Sequence, residues 1–107
     1  MEYGDAIADV VGPLGAVRDL ISGKRQSHNV QFMTDYFFEN LQKASVPSSV
    51  RSMHDKLIDN LIELTKIALR PGEPINSPSR KADVQRIQVL DKIVREQRNK
   101  ILDIVRG

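Results

Sequence analysis

The chain predicts an all-α fold, a four-helix, mostly antiparallel bundle with a kinked first helix and a long C-terminal helix, on three observations. Four stretches carry apolar residues at three- and four-residue steps, the spacing that builds one face of an α-helix. The stretch from Val50 to Leu69 is apolar on several sides, so it needs neighbours on more than one of them. The connections are polar or marked by proline: Lys24-Arg25-Gln26-Ser27, Ser45-Val46-Pro47-Ser48-Ser49 and the run from Arg70 to Ser79. At 107 residues the whole chain, 1–107, suits one helical-bundle domain that buries a core without disulfide or metal support.

The first helix is expected over 5–22, capped by Asp5 and stopped by Gly23. Ile7, Val10, Val11, Leu14, Val17 and Leu20-Ile21 keep helical spacing through Gly12-Pro13. Pro13 removes one backbone hydrogen bond and presses on the Asp9 carbonyl, so a bend or a break into two short helices belongs there. The second helix, 27–44, is capped by Ser27 or Asn29, and Val30, Met33, Phe37, Leu41 and Ala44 form its stripe. Four of the five aromatic residues sit on it, and at 100° per residue Tyr36, Phe37 and Phe38 cannot share one neighbour. Phe37 and Tyr36 are assigned to the interior and Phe32 and Phe38 to partial exposure.

Ser48 and Ser49 are the expected caps of the third helix, 48–69, whose seam is Val50, Met53, Leu57, Leu61, Leu64 and Ala68. The short turn before it lets the second and third helices pair antiparallel. The segment 70–78 has no helical period and is expected to be a stiff, extended loop. Ser77 or Ser79 then caps a last helix over 79–106, about two turns longer than the third at ~1.5 Å per residue. Its seam, Ile87, Leu90, Val94, Gln97, Ile101 and Ile104, has heptad spacing with a polar residue at Gln97.

The absence of cysteine excludes a disulfide framework, a thiol nucleophile and thiolate zinc sites, and suits a reducing, cytoplasmic setting. No apolar run approaches the ~20 residues of a spanning helix, and the N-terminus lacks the basic region of a signal peptide. The net charge of +2 is unevenly spread. Residues 1–23 carry four acids against Arg18, and Arg80 to Gly107 carries eight bases against four acids, an asymmetry that can steer head-to-tail association.

No catalytic constellation stands out, and no catalytic, cofactor or metal residue is assigned. His28 and His54 have no partner at metal-ligand spacing. The His54-Asp55 doublet lacks the other ligands of HD-type phosphohydrolases, and neither Arg25 before His28 nor Arg51 before His54 has the arginine-to-histidine interval of HEPN ribonuclease bundles. The stretch DAIADVVGPLGAVRDLISGK resembles the small-residue, apolar first helix of membrane-targeting cell-death bundles of the HeLo kind. That resemblance implies a bundle whose first helix can leave the core and engage lipid, against which its acidic flanks oppose anionic membranes.

The favoured expectation is a non-enzymatic protein–protein interaction module or adaptor that associates with itself as a homodimer. Its candidate interface is Phe32, Phe38, Gln97, Ile101, Leu102, Ile104 and Val105, the last four lying in the overhang of the final helix. A membrane-engaging bundle is the second expectation. A nucleic-acid accessory protein using the basic face Arg86, Arg95, Arg98 and Lys100 is the third, disfavoured because acids interleave with those bases and no aromatic residue stands among them.

Overall fold

A computed structural model describes residues 2–107 as an all-α bundle of α1 (Tyr3–Ala8), α2 (Val11–Ile21), α3 (Ser27–Gln42), α4 (Arg51–Ala68) and α5 (Lys81–Arg106). Short 3-10 turns at Ser48–Val50 and Pro78–Arg80 lead into α4 and α5. The expected first helix is α1 and α2 in series, so the bundle has four helical layers. The tightest pairings are α4 with α5 and α2 with α3, while α1 lies across α5 and α3. The expected pairing of the second and third helices is thus secondary to two hairpins, each closed on its own loop.

The break falls at Asp9–Val10, one turn ahead of Pro13, which occupies the first turn of α2 where its missing N–H costs little. The Asp9 carbonyl, which a proline four residues on cannot serve, accepts the Gly12 amide at 2.9 Å instead. The Ala8 carbonyl accepts Arg98 Nε from α5 at 2.9 Å. Asp5 is not the cap: α1 starts at Tyr3, whose ring is buried, and Asp5 sits in the first turn and pairs with Arg106 at 2.9 Å. Gly23 stops α2 as expected. At φ +78° it permits the Schellman closure in which the Lys24 amide reaches Asp19 O (2.7 Å) and the Gly23 amide reaches Leu20 O (3.1 Å).

In α3 the buried stripe is Val30, Thr34, Phe37, Asn40 and Leu41. Met33, expected at its centre, is half-buried over Gly12, where an added Cβ would meet Met33 Cε at 3.0 Å. Asn29 contributes to the start of α3 from its third position, accepting the Gln26 amide at 3.3 Å. The serines expected to cap α4 and α5 make no such bond: Ser48 opens a 3-10 turn, Ser77 precedes one, and Ser79 donates to the Glu73 carboxylate.

Leu57, Leu61 and Leu64 of α4 are completely buried, together with Ile87, Leu90, Val94 and Ile101 of α5. Their hairpin is antiparallel: Arg80 reaches Ile67 O, Arg86 meets Glu63 at 2.8 Å, and Asn60 Nδ2 donates to Gln97 Oε1 at 3.3 Å. Segment 70–78 is not simply extended. It turns at Gly72 (φ +112°), inserts Ile75 into the core, and is held by the buried Arg80 guanidinium. That group donates to Ile67 O, to Glu73 O at 3.0 Å and to Asp83 at 3.0 Å, so it also supplies a cation to the C-terminal carbonyls of α4.

α5 has 26 residues against 18 for α4, and α1 covers the excess. An added Cβ on Gly4 would lie 3.6 Å from Val105 Cγ2, and Ile101 is 0% exposed. Most of the apolar overhang of the last helix, Ile101 with half-buried Leu102 and Val105, is therefore internal packing, and Ile104 stays outside. The acidic front and basic back meet there through Asp5–Arg106, while higher up the one base of the front, Arg18, pairs with an acid of the back, Asp91, at 2.8 Å.

Candidate functional site

The residues named from sequence separate into three groups. Ile101 belongs to the core, because α1 covers that end of α5. Leu102 and Val105 are half-buried against the core, and Gln97 is spent on Asn60, leaving Ile104 as the exposed member of the overhang. Of the basic face, Arg86 is held by both oxygens of Glu63, Arg95 by Asp91 at 2.9 Å and Arg98 by Ala8 O, so Lys100 alone of the four has no partner among the described residues. More generally, each arginine pairs with an acid or a backbone carbonyl, and no lysine among the described residues forms an ion pair. The planar guanidinium fork suits fixed pairing, whereas the lysines project as solvated charges.

Phe32 and Phe38 do lie toward the outside, and they differ. Phe38 is half-buried, edge-on to Phe37 with centroids 5.5 Å apart. Phe32 is 68% exposed and stacks on Tyr36, itself 54% exposed, at 6.4 Å and 12° between planes. Tyr36 was assigned to the interior. It lies outside because Phe37 takes the core position, and one residue of helix turns its neighbour ~100° away. Four-residue spacing then places Phe32 and Tyr36 on one strip of α3.

Beside the stack runs a groove of about 220 Å³ lined by Val11, Pro13, Met33, Tyr36, Phe37 and the backbone side of Gly12. Gly12 makes this groove, since the missing side chain lets α2 and α3 approach. Val11, 40% exposed, extends the apolar surface. Asp9 lines the groove and exposed Asp35 and Glu39 stand beside the rings on α3; none of the three has a cationic partner among the described residues, and Asp35 accepts the Gln31 amide at 2.8 Å. The result is an aromatic strip with a negative border.

A second arrangement lies at the other end of α3. Tyr3 and His54, both buried, join α1 to α4 through a 2.9 Å contact between the Tyr3 hydroxyl and His54 Nδ1. Burial pushes the Tyr3 hydroxyl up to about 12, with smaller opposing effects from Arg51 and Asp55. Burial also lowers His54, and the Arg51 charge adds to that lowering. At neutral pH both groups are therefore uncharged. The tyrosine hydroxyl has no other acceptor among the described residues, so the tautomer that leaves its proton paired has the hydroxyl donating to Nδ1 and the imidazole proton on Nε2.

The sequence pattern shows His54 only as a histidine without metal-ligand partners, and it points to no buried role for Ile75, Arg80 or Asp91. His54 carried a signal: it stands at a seam position, in step with Leu57, Leu61 and Leu64, where a polar residue needs a buried partner. Arg80 and Ile75 lie in an aperiodic stretch that offers no such cue. No group of three or more metal-ligating side chains forms among the described residues, and no helix among them is long and apolar enough to cross a membrane. Comparison with protein-family models, curated proteins and solved structures finds no match.

Proposed function

We propose that the protein is a non-enzymatic interaction module that associates with copies of itself head to tail, the aromatic strip of α3 on one copy seating on the exposed face of α5 on the next. The observation that carries this reading is the Phe32–Tyr36 stack, two large rings held in water within an acidic border. Exposed aromatic clusters of this kind are the usual anchors of protein interfaces. On α5, Val89 is 51% exposed and stands one turn from Lys92, with Lys81 further along; neither lysine has an acid partner among the described residues. The α5 face sets Lys81 and Lys92 about Val89, with exposed Glu96 two turns along as its acid, so it offers cations to the acidic border of the α3 strip.

Charge also selects against the symmetric alternative. Two α3 strips facing each other would bring Asp35 and Glu39 of both copies together. A contact between unlike surfaces does not close on itself at two copies, so the assembly grows with concentration. Burying the two rings at ~25 cal/mol per Å² supplies a few kcal/mol before association costs, which suits a weak, reversible contact.

Sedimentation equilibrium over a wide concentration range, at low and high salt, tests the reading. The expected result is a weight-average mass that rises past the dimer and falls when salt screens the charges. A monomer at every concentration overturns it, and so does a saturating, salt-insensitive dimer.

A further inference from the structure

His54 is a buried side chain whose hydrogen-bonding capacity the fold leaves half used. Nδ1 is engaged by Tyr3, whereas Nε2 has no partner among the described residues. No fully buried side-chain nitrogen or oxygen among the described residues lacks a partner, so Nε2 is not sealed off and keeps contact with solvent. The ring is 7% exposed, and it lines a groove of about 260 Å³ between the end of α3 and the start of α4. Phe38, Leu41, Ala44, Val46 and Ile58 wall that groove, and exposed Gln42 is the other polar residue on it.

We propose that this groove binds a small carboxylic acid with an apolar body, the His54 Nε2–H donating a hydrogen bond to the carboxylate. The tautomer set by Tyr3 makes Nε2 a donor, so the complementary ligand atom is an acceptor; an ammonium group would meet it proton to proton. Arg51, one turn earlier on α4, is the cation that acts on His54, and Asp55, which it pairs with at 3.4 Å, is more than half exposed. From α1 the neighbouring titratable group is Tyr3, and α3 gives the groove no charged side chain. A carboxylate therefore meets an N–H donor in a groove that carries no acid, and a charge-assisted hydrogen bond exceeds the neutral one that an alcohol or amide would make. The apolar walls select a hydrocarbon body, and about 260 Å³ holds roughly nine water-sized volumes at ~30 Å³ each, room for a six-carbon acid.

The test is a titration of the ¹⁵N-labelled protein with hexanoate and, separately, with hexanamide, following the His54 ring nitrogens and the backbone amides. Hexanoate is expected to shift the amides of Phe38, Val46 and Ile58 in a saturable way and to raise the pH at which His54 titrates. Hexanamide should bind about tenfold more weakly, the difference between a charged and a neutral acceptor. Ile58→Trp, which fills the groove and spares the Tyr3–His54 contact, should lose the shifts while keeping the wild-type melting temperature; Val46→Trp replaces it if that chain does not fold. Equal affinity for acid and amide overturns the proposal. So does a His54 titration unmoved by hexanoate, or binding that survives the filled groove.

Discussion

The two hairpins of the bundle use their sequences in opposite ways. The α4–α5 pair is long and regular, and its polar groups are matched across the contact: Asn60 with Gln97, Glu63 with Arg86, Arg80 with the end of α4. The α2–α3 pair is shorter and built on Gly12 and Pro13, and it leaves Phe32, Tyr36 and Val11 in water beside unpaired acids. Both hairpins bury a seam, but the α2–α3 pair also holds its two most exposed rings, Phe32 and Tyr36, side by side outside it. The aromatic content of α3 thus says little about burial, whereas the leucine spacing of α4 says nearly everything.

The sharpest way to break that contrast is to remove a leucine from the matched hairpin. Leu61→Ala should destabilise by ~2–5 kcal/mol, through lost burial and the cavity left behind, as read by chemical denaturation. A midpoint unchanged by the substitution would make α4 peripheral. Arg80→Met ranks next. It removes the donor to Ile67 O, Glu73 O and Asp83 together, and a cost of ~1–3 kcal/mol is expected for orphaning buried acceptors. Equal stability would mean that water replaces the guanidinium and that the α4–α5 loop is not clamped.

The pH dependence of stability probes the seam between α1 and α4. His54 is depressed in the fold, so its unfolded form binds more protons, and stability falls as pH drops below its ordinary value of 6.5. Tyr3 is raised, so its contribution is intact below its ordinary value of 10.0 and is lost as pH rises from there toward about 12. Tyr3→Phe should abolish the alkaline limb, and His54→Gln the part of the acid limb near neutrality. A profile unchanged in Tyr3→Phe would place that limb elsewhere. The smallest effect on stability belongs to Phe32→Asp, expected within ~0.5 kcal/mol of wild type because the ring is largely in water. A larger loss would show the strip to be structural.

Periodicity and punctuation carried much of the fold. Leu57, Leu61 and Leu64 stand where their spacing puts them, Gly23 ends its helix, and the strain of Pro13 on Asp9 marks the break. What was hidden depended on neighbours distant in sequence. Ile101 has the spacing of an exposed overhang until α1 folds over it, and Arg98 looks like a free cation until the break releases the Ala8 carbonyl. Phe32 was legible as an outward residue from the width of the apolar arc on α3. Tyr36 was not, because only packing decides which neighbour of Phe37 turns inward. Ile75 sits in a proline-rich run where no pattern separates a plug from a linker.

Mixing two surface variants tests the central proposal, that the α3 strip of one copy seats on the exposed α5 face of the next. Phe32→Asp disables the α3 strip and keeps the α5 face; Val89→Asp does the reverse. Each alone should sediment as a monomer, and an equimolar mixture should form a 1:1 dimer that grows no further, because one intact copy of each surface remains. A mixture that stays monomeric while the wild type assembles, or a Phe32→Asp chain that assembles like the wild type, would contradict the account.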